Sequence, residues 1–389
     1  MYKNLVTTID FSPSGIKLVT GYCFEDKIYV LQALESDILP LDERGYIEKE
    51  AAIKSLQLLV ATSEAAVKQR INNYILLLPP IGLVLKDEKN SSATSGDKPT
   101  KGDYRTLSMM IKRANTYADK EIVYLHPYNF STDSVANIAY FPSNLTTNSL
   151  TAYFDIHYVS KDLYYHYLSI ANALGLNVSL TTLSTFAGAQ FISYIKGPST
   201  YISLEVERKE TTISIYNKGR LKDSKIINFG TNDGIDAASK KLNIPFNRCI
   251  DIFSLFGYRD NSGFNYETDD GLSLKETSAA FKEAFTPLVK ELNTFFVEHN
   301  INNSNLPVVL YGSCNDYEGF LQFVGESLNQ NVITFNNAVI GARNKTFVNC
   351  LGGIKLSSYE YQLNQIDSPY SDLSSSLRST NFGRNNGGN

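Results

Sequence analysis

The feature that most constrains this chain is a strand–turn–strand pattern that occurs once in each half. Residues 5–22 contain an apolar strand that ends in an acidic residue, a turn rich in Ser, Pro and Gly, and a second strand. Residues 201–216 repeat the layout, but their turn reads Glu-Arg-Lys-Glu and contains no glycine. Small turn residues let backbone N–H groups approach phosphate oxygens closely, so the first turn suits a phosphate. We therefore predict a nucleotide-binding fold whose second phosphate clamp is altered.

The position of the two hairpins resembles the duplicated architecture of the actin and sugar-kinase superfamily. Each hairpin opens one half of a 389-residue chain, and the resemblance implies a cleft between two related halves. The hairpins alone leave a second interpretation open, because such hairpins are common edge elements of α/β proteins and Asp-x-Ser-x-x-Gly is a weak motif.

Length and composition favour an intracellular protein of several subdomains. A chain of 389 residues exceeds what one core usually holds. The net charge of −4 gives no basic footprint for nucleic acid, and we expect none as partner. The four cysteines lie in separate segments without metal spacing, which favours packed, reduced thiols in a cytoplasm. No apolar run is long enough for a bilayer span, and we expect neither membrane insertion nor export.

A segment within the first half carries a more specific pattern. Residues 122–133 read Ile-Val-Tyr-Leu-His-Pro-Tyr-Asn-Phe-Ser-Thr-Asp, residues 142–145 read Pro-Ser-Asn-Leu, and residues 150–157 read Leu-Thr-Ala-Tyr-Phe-Asp-Ile-His. This succession resembles the extra subdomain of the FtsA family of bacterial cell-division proteins, with Asn144 where that family has glycine. The resemblance implies an α+β insert that differs in position and fold from the extra subdomain of actin.

Further motifs follow in the order of the same family. Residues 308–319 resemble its adenosine motif, with Ser313 in place of the second glycine, and residues 347–355 resemble its last connecting helix. We therefore predict an α/β, duplicated actin-like (ribonuclease H-like) fold with an FtsA-type insert. The expected division is residues 1–82 and 161–197 with a closing helix at 346–357 for the first half, 83–160 for the insert, 198–230 and 301–345 for the second half, 231–300 for a small helical subdomain, and 358–389 for a disordered tail.

The same resemblance, together with the turn chemistry, implies a site for ATP and Mg²⁺. A carboxylate beside the first turn can hold hydrated Mg²⁺, and this role falls to Asp10. The predicted nucleotide-binding residues are Asp10, Ser12, Ser14, Gly15, Lys17, Glu205, Thr211, Gly230, Gly312 and Ser313.

The second turn argues against efficient ATP hydrolysis. The family's glycines fall on Glu207, Arg208 and Lys209, so side chains now occupy the phosphate approach. A carboxylate about 4 Å from a phosphate charge costs about 4 kcal/mol at an effective dielectric of about 20, roughly a thousandfold in affinity. Arg208 or Lys209 would offset this cost if either faced the cleft, since side chains along a strand alternate. We expect ATP and Mg²⁺ to be bound weakly or not at all, and we assign no catalytic residue.

The resemblance implies a scaffold function. Proteins similar to FtsA self-associate through actin-like contacts and link the tubulin-like protein FtsZ to the inner face of the membrane at the division site. By the same resemblance, the partner surface lies within residues 231–300, where Lys240, Lys241 and Arg248 could meet an acidic FtsZ tail; a solvated face is the alternative.

Membrane attachment is expected to be indirect. The tail is rich in Ser and Asn and carries only a poor apolar stripe, so we expect a cytoplasmic protein held peripherally at the division site. The alternative function is an ATP-dependent small-molecule kinase of the same superfamily. A sugar kinase would need a catalytic Asp facing the substrate and a glycine-rich second turn; we find no convincing Asp, and the glycine-rich turn is absent.

Overall fold

The structure, a computed structural model, describes residues 5–259, 267–301 and 304–364, with only the backbone helix described for 359–364. In chain order its elements are β1 (Val6–Asp10), β2 (Lys17–Phe24), β3 (Lys27–Glu35), α1 (Lys49–Val67), β4 (Tyr74–Leu78), β5 (Val84–Ala93), α2 (Lys101–Ala114), β6 (Lys120–Thr132), β7 (Ser149–Ser160), α3 (Lys161–Ala173), β8 (Val178–Leu183), α4 (Ser184–Tyr194), β9 (Tyr201–Val206), β10 (Thr211–Asn217), β11 (Arg220–Ile227), α5 (Thr231–Leu242), α6 (Phe246–Phe256), α7 (Leu274–Glu298), β12 (Val308–Tyr311), α8 (Phe320–Leu328), β13 (Val332–Ile333) and α9 (Val348–Asn364).

Two five-stranded sheets share one topology. Their strand orders are β3-β2-β1-β4-β8 and β11-β10-β9-β12-β13, so each strand of the first sheet has a counterpart in the second. In both sheets the two hairpin pairings are antiparallel and the two following pairings are parallel. The duplication predicted from the two hairpins is confirmed.

The central strands of both sheets lie in the interior of the protein. Every residue of β1, β4 and β9 is buried. Helix α9 packs on β1, where Thr8 Oγ1 donates to the Cys350 carbonyl at 3.0 Å. It also crosses α4 so closely that a Cβ at Gly352 would lie 1.7 Å from the Ala187 oxygen. This crossing fixes the start of α9 beside the ends of the central strands.

A third sheet, of order β5-β7-β6, is inserted between β4 and α3, and α2 packs against it. Two segments of the insert depart from what their sequences indicate. Residues 87–93 have the polar composition of an exposed loop but belong to β5, because an edge strand with one wet face tolerates polar side chains. Residues 137–141 have the composition of a short strand but form a single bridge between Phe130 and Ile138, since Asn137 adopts a left-handed φ of 58°.

Helices α5, α6 and α7 lie within residues 231–300, the segment expected to form a small helical subdomain. Helix α7 begins after a capping box formed by Ser273 and Glu276, a pattern that favours helix initiation.

The closing helix extends further than predicted. Helix α9 ends at Asn364 rather than at residue 357, so residues 358–364 are helical where we expected a disordered tail. The helix is anchored by buried Leu356 and by the ion pair of Lys355 with Asp26 (2.8 Å). The remainder of the predicted tail, 365–389, lies outside the described residues. None of the helices in the described ranges combines the length and the apolar character that a bilayer span requires.

Candidate functional site between the two hairpin turns

The turns of the two hairpins lie against each other. Each follows a central strand, β1 or β9, at the same position of its sheet. Ser12 Oγ donates to Glu210 Oε1 at 3.0 Å, and the backbone N–H of Lys209 donates to Ser14 Oγ at 2.9 Å. Both serines predicted to hold a nucleotide therefore hold the second turn instead.

A buried ion pair joins the same two turns. Lys17 Nζ lies 2.7 Å from Glu207 Oε1, and the two side chains are 0% and 3% exposed. Burial lowers the pKa of Lys17, but the carboxylates of Glu207, Glu205 and Asp10 more than offset this, so the pKa is raised and the ammonium stays charged. The predicted phosphate-binding cation is thus already paired within the chain.

Arg208 faces the first turn. Its Nη2 donates to the Ser14 carbonyl and to Glu35 Oε1, both at 2.6 Å, whereas Lys209 points to solvent. The space beside Gly15, which has a φ of 138°, is also filled: a Cβ there would lie 2.5 Å from the Ser36 oxygen and 3.1 Å from Arg208 Nη2. Of the two basic residues in the second turn, Arg208 therefore faces the cleft, and its hydrogen bonds go to groups of the protein.

Asn349 at the start of α9 links the two central strands. Its Nδ2 donates to Asp10 Oδ2 at 3.1 Å and to Glu205 Oε1 at 2.8 Å. Asn349 was not predicted from the sequence. A single polar residue at the start of a largely apolar helix does not indicate which element its side chain contacts. Asp10, the expected Mg²⁺ ligand, is instead an acceptor for an amide. In the described part of the chain, no group of three or more His, Cys, Asp or Glu side chains is arranged to hold a metal ion.

Carboxyl groups converge on this site, and burial raises the pKa of each of them. Burial raises the pKa of Glu205 to about 8 and that of half-buried Glu210 to about 7. Burial also raises the pKa of Glu207 and of Asp10, although Lys17 pulls both in the opposite direction. Part of the cluster is therefore protonated near neutral pH, which reduces the repulsion between the carboxyl groups.

The remaining space is too small for a phosphate chain. The cavity lined by Asp10, Ser12, Glu205, Glu207 and Asn349 leaves about 10 Å³ for the centre of a water molecule. That is room for about one water. With its lysine and serines already bonded and carboxyl groups around the cavity, the site in this arrangement does not fit Mg-ATP.

The other predicted nucleotide residues surround the second turn. Thr211 Oγ1 donates to the Phe229 carbonyl at 2.7 Å. A Cβ at Gly230 would lie 2.4 Å from the backbone of Arg208 and Lys209.

Gly312 and Ser313 lie on the other side of that turn, beside the end of β9. Gly312 has a φ of 102°, and a Cβ there would lie 2.5 Å from the Val206 oxygen. Ser313 Oγ donates to the same oxygen at 3.3 Å. The structure thus brings these predicted residues together, but their contacts brace the second turn.

The basic residues proposed for partner binding are paired within the helical subdomain. Lys240 is bonded to Asp236 and Lys241 to Glu283. Arg248 Nε donates to Asp270 Oδ2 at 2.7 Å. These carboxylates reduce the positive charge that the subdomain presents to an acidic tail.

Comparisons with known proteins identify the fold. The sequence matches no family model and no curated protein. Among solved structures, the PilM-PilN type IV pilus biogenesis complex has a TM-score of 0.59 at 13% identity, over 90% of this chain and 98% of that chain. The ethanolamine utilization protein EutJ from Carboxydothermus hydrogenoformans has a TM-score of 0.53 at 12% identity, over 92% of this chain and 90% of that one. MreB5 of Spiroplasma citri bound to ADP has a TM-score of 0.52 at 10% identity, over 93% of this chain and 98% of that one.

The fold is that of the actin-like ATPases. The similarity extends over nearly the whole chain, so both halves and the insert are included. Nucleotide binding is a property of some of these neighbours, since MreB5 has been solved with ADP and with AMPPNP. At these identities the likeness extends to the fold alone.

Proposed function

We propose that this chain is an actin-like scaffold that binds partner proteins and further copies of itself without hydrolysing ATP. The observation that carries the proposal is the direct bonding of the two turns by the Lys17–Glu207 ion pair. In a fold of two halves around a cleft, these bonds fix the relative orientation of the halves. A scaffold needs a fixed geometry and no turnover, and this arrangement supplies it from the chain's own side chains.

Self-association is the first activity of the proposed scaffold. Head-to-tail contacts between copies of one chain generate filaments when the rotation between neighbours does not close a ring. Because the inter-turn bonds set the subunit shape, the shape needed for such contacts does not depend on a bound nucleotide.

FtsZ is the partner that we propose, on the basis of the resemblance to FtsA. The chain would link FtsZ to the division site, with membrane association indirect. The presence of a PilM-PilN complex among the similar structures supports partner binding as a use of this fold.

The alternative, a small-molecule kinase, requires a phosphate donor in the cleft. Kinases of this kind turn over at about 1–100 per second, and the second turn with its Glu207 and Glu210 offers no glycine-rich clamp. We therefore rank this function second.

Two measurements test the proposal. Titration of Mg-ATP into the purified protein by calorimetry should show no binding below about 1 mM, and phosphate release should not exceed that of a buffer control. Sedimentation should show concentration-dependent assembly in the absence of nucleotide, and a synthetic FtsZ tail peptide should bind the same protein.

The opposite results separate the two functions. ATP turnover within the kinase range, with a strictly monomeric protein that does not bind FtsZ, would replace the scaffold by the kinase. Assembly without FtsZ binding would leave the scaffold standing and remove FtsZ as its partner.

A further inference from the structure

The turn between β10 and β11 brings one charged side chain of the second sheet, of order β11-β10-β9-β12-β13, to the inserted sheet. Lys218 and Gly219 both adopt left-handed backbone conformations, with φ of 52° and 76°, as a tight two-residue hairpin turn requires. The backbone N–H of Gly219 donates to the Ser199 carbonyl at 2.7 Å, which ties the turn to the chain before β9. Arg220, the first residue of β11, therefore projects from a restrained turn.

The inserted sheet contacts Arg220 through two carboxylates and one aromatic ring. Arg220 Nε donates to Asp155 Oδ2 at 2.7 Å, and Nη2 donates to Asp155 Oδ1 and to Asp87. The guanidinium carbon lies 3.6 Å from the centre of the Tyr128 ring, and the Tyr128 hydroxyl donates to Asp87 Oδ1 at 2.8 Å. Each of the strands β5, β6 and β7 thus contributes one partner. We call Arg220, Asp87, Asp155 and Tyr128 the clasp.

The two carboxylates of the clasp need a cation. Asp87 and Asp155 are direct partners in the β5–β7 ladder, so their side chains share a face, where like charges destabilise a sheet. Asp155 is also buried, which is costly for a carboxylate without a partner. Its ladder partner on β6 is His126, but burial lowers the pKa of His126 to about 4, so this imidazole is neutral near pH 7. Arg220, whose pKa is raised by its hydrogen bonds to Asp155 and Asp87, supplies the positive charge.

Strand β10 connects the clasp to the contact between the two hairpin turns. Its first residue, Thr211, follows Glu210, which accepts the hydrogen bond from Ser12. Its last residue, Asn217, is the ladder partner of Arg220. At about 3.4 Å per residue these ends lie about 20 Å apart. The second sheet is therefore attached to the first hairpin turn at one end of β10 and to the inserted sheet at the other.

Water reaches the clasp but not the ion pair between the turns. The side chains of Asp87 and Arg220 are 55% and 20% exposed, whereas those of Lys17 and Glu207 are 0% and 3% exposed. Water screens an exposed ion pair and hydrates its charges when it separates, so opening costs little. Separating a buried pair costs far more. Of these two attachments, the clasp is the one that opens more easily.

We propose that the clasp is a conformational switch, which holds the inserted sheet against the second sheet when closed and lets the inserted sheet move away when open. Both sheets stay folded in either state, because the clasp uses side chains and leaves the ladder hydrogen bonds in place. The ion pair between the turns also persists, since it lies at the other end of β10. This inference goes beyond the proposed scaffold function, because the switch needs neither a partner nor a second copy of the chain.

The test measures the distance between the inserted sheet and the second half of the full chain by double electron–electron resonance. Spin labels are attached at two exposed positions, Lys89→Cys on β5 and Asn293→Cys on α7, in a Cys23→Ser background, because the other three cysteines are buried. This labelled parent is compared with its Arg220→Gln and Lys222→Gln variants. Lys222→Gln is the matched control, since it removes an exposed positive charge from the same strand.

We expect the labelled parent to give one narrow distance. Arg220→Gln should raise the population of a second, longer distance by about tenfold or more, because it removes hydrogen bonds between charged groups. Lys222→Gln should give the distribution of the parent. Hydrogen exchange over residues 120–132 and 149–160 should be the same in all three proteins, because the ladder of the inserted sheet is unchanged.

Three results would overturn the proposal. An unchanged distance distribution in Arg220→Gln would show that the inserted sheet keeps its place without the clasp. Faster exchange throughout β6 and β7 in that variant would show that Arg220 maintains the fold of the inserted sheet rather than its position. The same longer distance in Lys222→Gln would assign the effect to the charge of the strand as a whole.

Discussion

Lys17 Nζ lies 2.7 Å from Glu207 Oε1, and this pair joins the strand after the first turn to the beginning of the second turn. Each half of the molecule contributes one charge, and neither side chain has access to water. The ion pair forms only when the two halves are in contact. It therefore links the stability of each half to the contact between the halves.

We predict that Lys17→Met destabilises the protein by about 3–5 kcal/mol, because it leaves Glu207 buried without a counter-charge. Urea unfolding at pH 7.5, followed by circular dichroism, measures the change. The exposed neighbour Lys209→Met should alter the free energy of unfolding by less than about 0.5 kcal/mol.

The double variant Lys17→Met/Glu207→Leu provides the decisive control. Apolar residues of similar volume often replace a buried ion pair at little cost, so it should recover most of the stability lost by Lys17→Met alone. If the double variant is as unstable as the single one, the loss reflects packing rather than the unpaired carboxylate.

The raised pKa of Glu205 makes stability depend on pH. A carboxyl group whose pKa is higher in the folded protein binds its proton more tightly there, so the free energy of unfolding falls as pH rises between the two pKa values. For Glu205 this window runs from its ordinary value of 4.5 to about 8. Glu205→Gln should therefore gain stability relative to wild type as pH rises from 5 to 8.

Urea unfolding at intervals across this range measures the difference between Glu205→Gln and wild type. The difference isolates Glu205 from buried His126 and His157, whose lowered pKa values act in the opposite direction at acid pH. The exposed Glu43→Gln, outside the cluster, is measured in parallel as a control for substitution. A pH-independent difference between Glu205→Gln and wild type would contradict the raised pKa assigned to Glu205.

Replacing Glu207 and Glu210 by glycine should create affinity for Mg-ATP. The double variant frees Lys17 and Ser12 and removes two carboxyl groups from the phosphate approach. Relief of one contact at about 4 Å is worth up to about 4 kcal/mol, or roughly a thousandfold. Calorimetric titration of Mg-ATP into wild type, each single variant and the double variant measures this gain in affinity. Equally weak heats in all four proteins would refute repulsion by the carboxyl groups as the cause of weak ATP binding.

The helix crossing of α4 and α9 should tolerate no side chain at Gly352. A methyl group there would lie 1.7 Å from the Ala187 oxygen, so Gly352→Ala must separate the helices and is expected to cost more than about 2 kcal/mol. Gly96, which has open space around it, supplies the matched control Gly96→Ala. Equal thermal unfolding midpoints for the two variants would show that the helices adjust without cost.

Removing residues 365–389 should leave self-association unchanged. The described anchors of α9, including Cys350, Lys355 and Leu356, all precede that segment. Sedimentation of the truncated and full-length proteins at matched concentrations tests this expectation. A truncated protein that no longer assembles would assign the tail a part in the subunit contact.

The sequence predicted much of the fold because the two hairpins and the apolar strands are local patterns. The fully apolar stretch of β4 indicates burial on both faces of the strand. The two hairpins indicate the duplication of the fold. Strand β5 escaped prediction since an edge strand with polar side chains has the composition of a loop.

The sequence indicated several residues of the site, but it did not indicate how their side chains contact one another. Asp10, Lys17 and Glu205 could be placed at strand ends from local spacing, but the pairing of Lys17 with Glu207 depends on how the halves meet. Asn349 reaches the site from a helix 339 residues after Asp10, a separation at which spacing carries no information.

The small size of the cavity between the turns also bears on how a filament of this chain would age. In a filament whose subunits hydrolyse a bound nucleotide, the chemical state of each subunit records how long ago it joined. Subunits whose cleft is closed by their own side chains carry no such record of when they joined. If this chain assembles as proposed, old and new subunits of its filament are chemically identical, and disassembly must be timed by dilution, acidity or a partner.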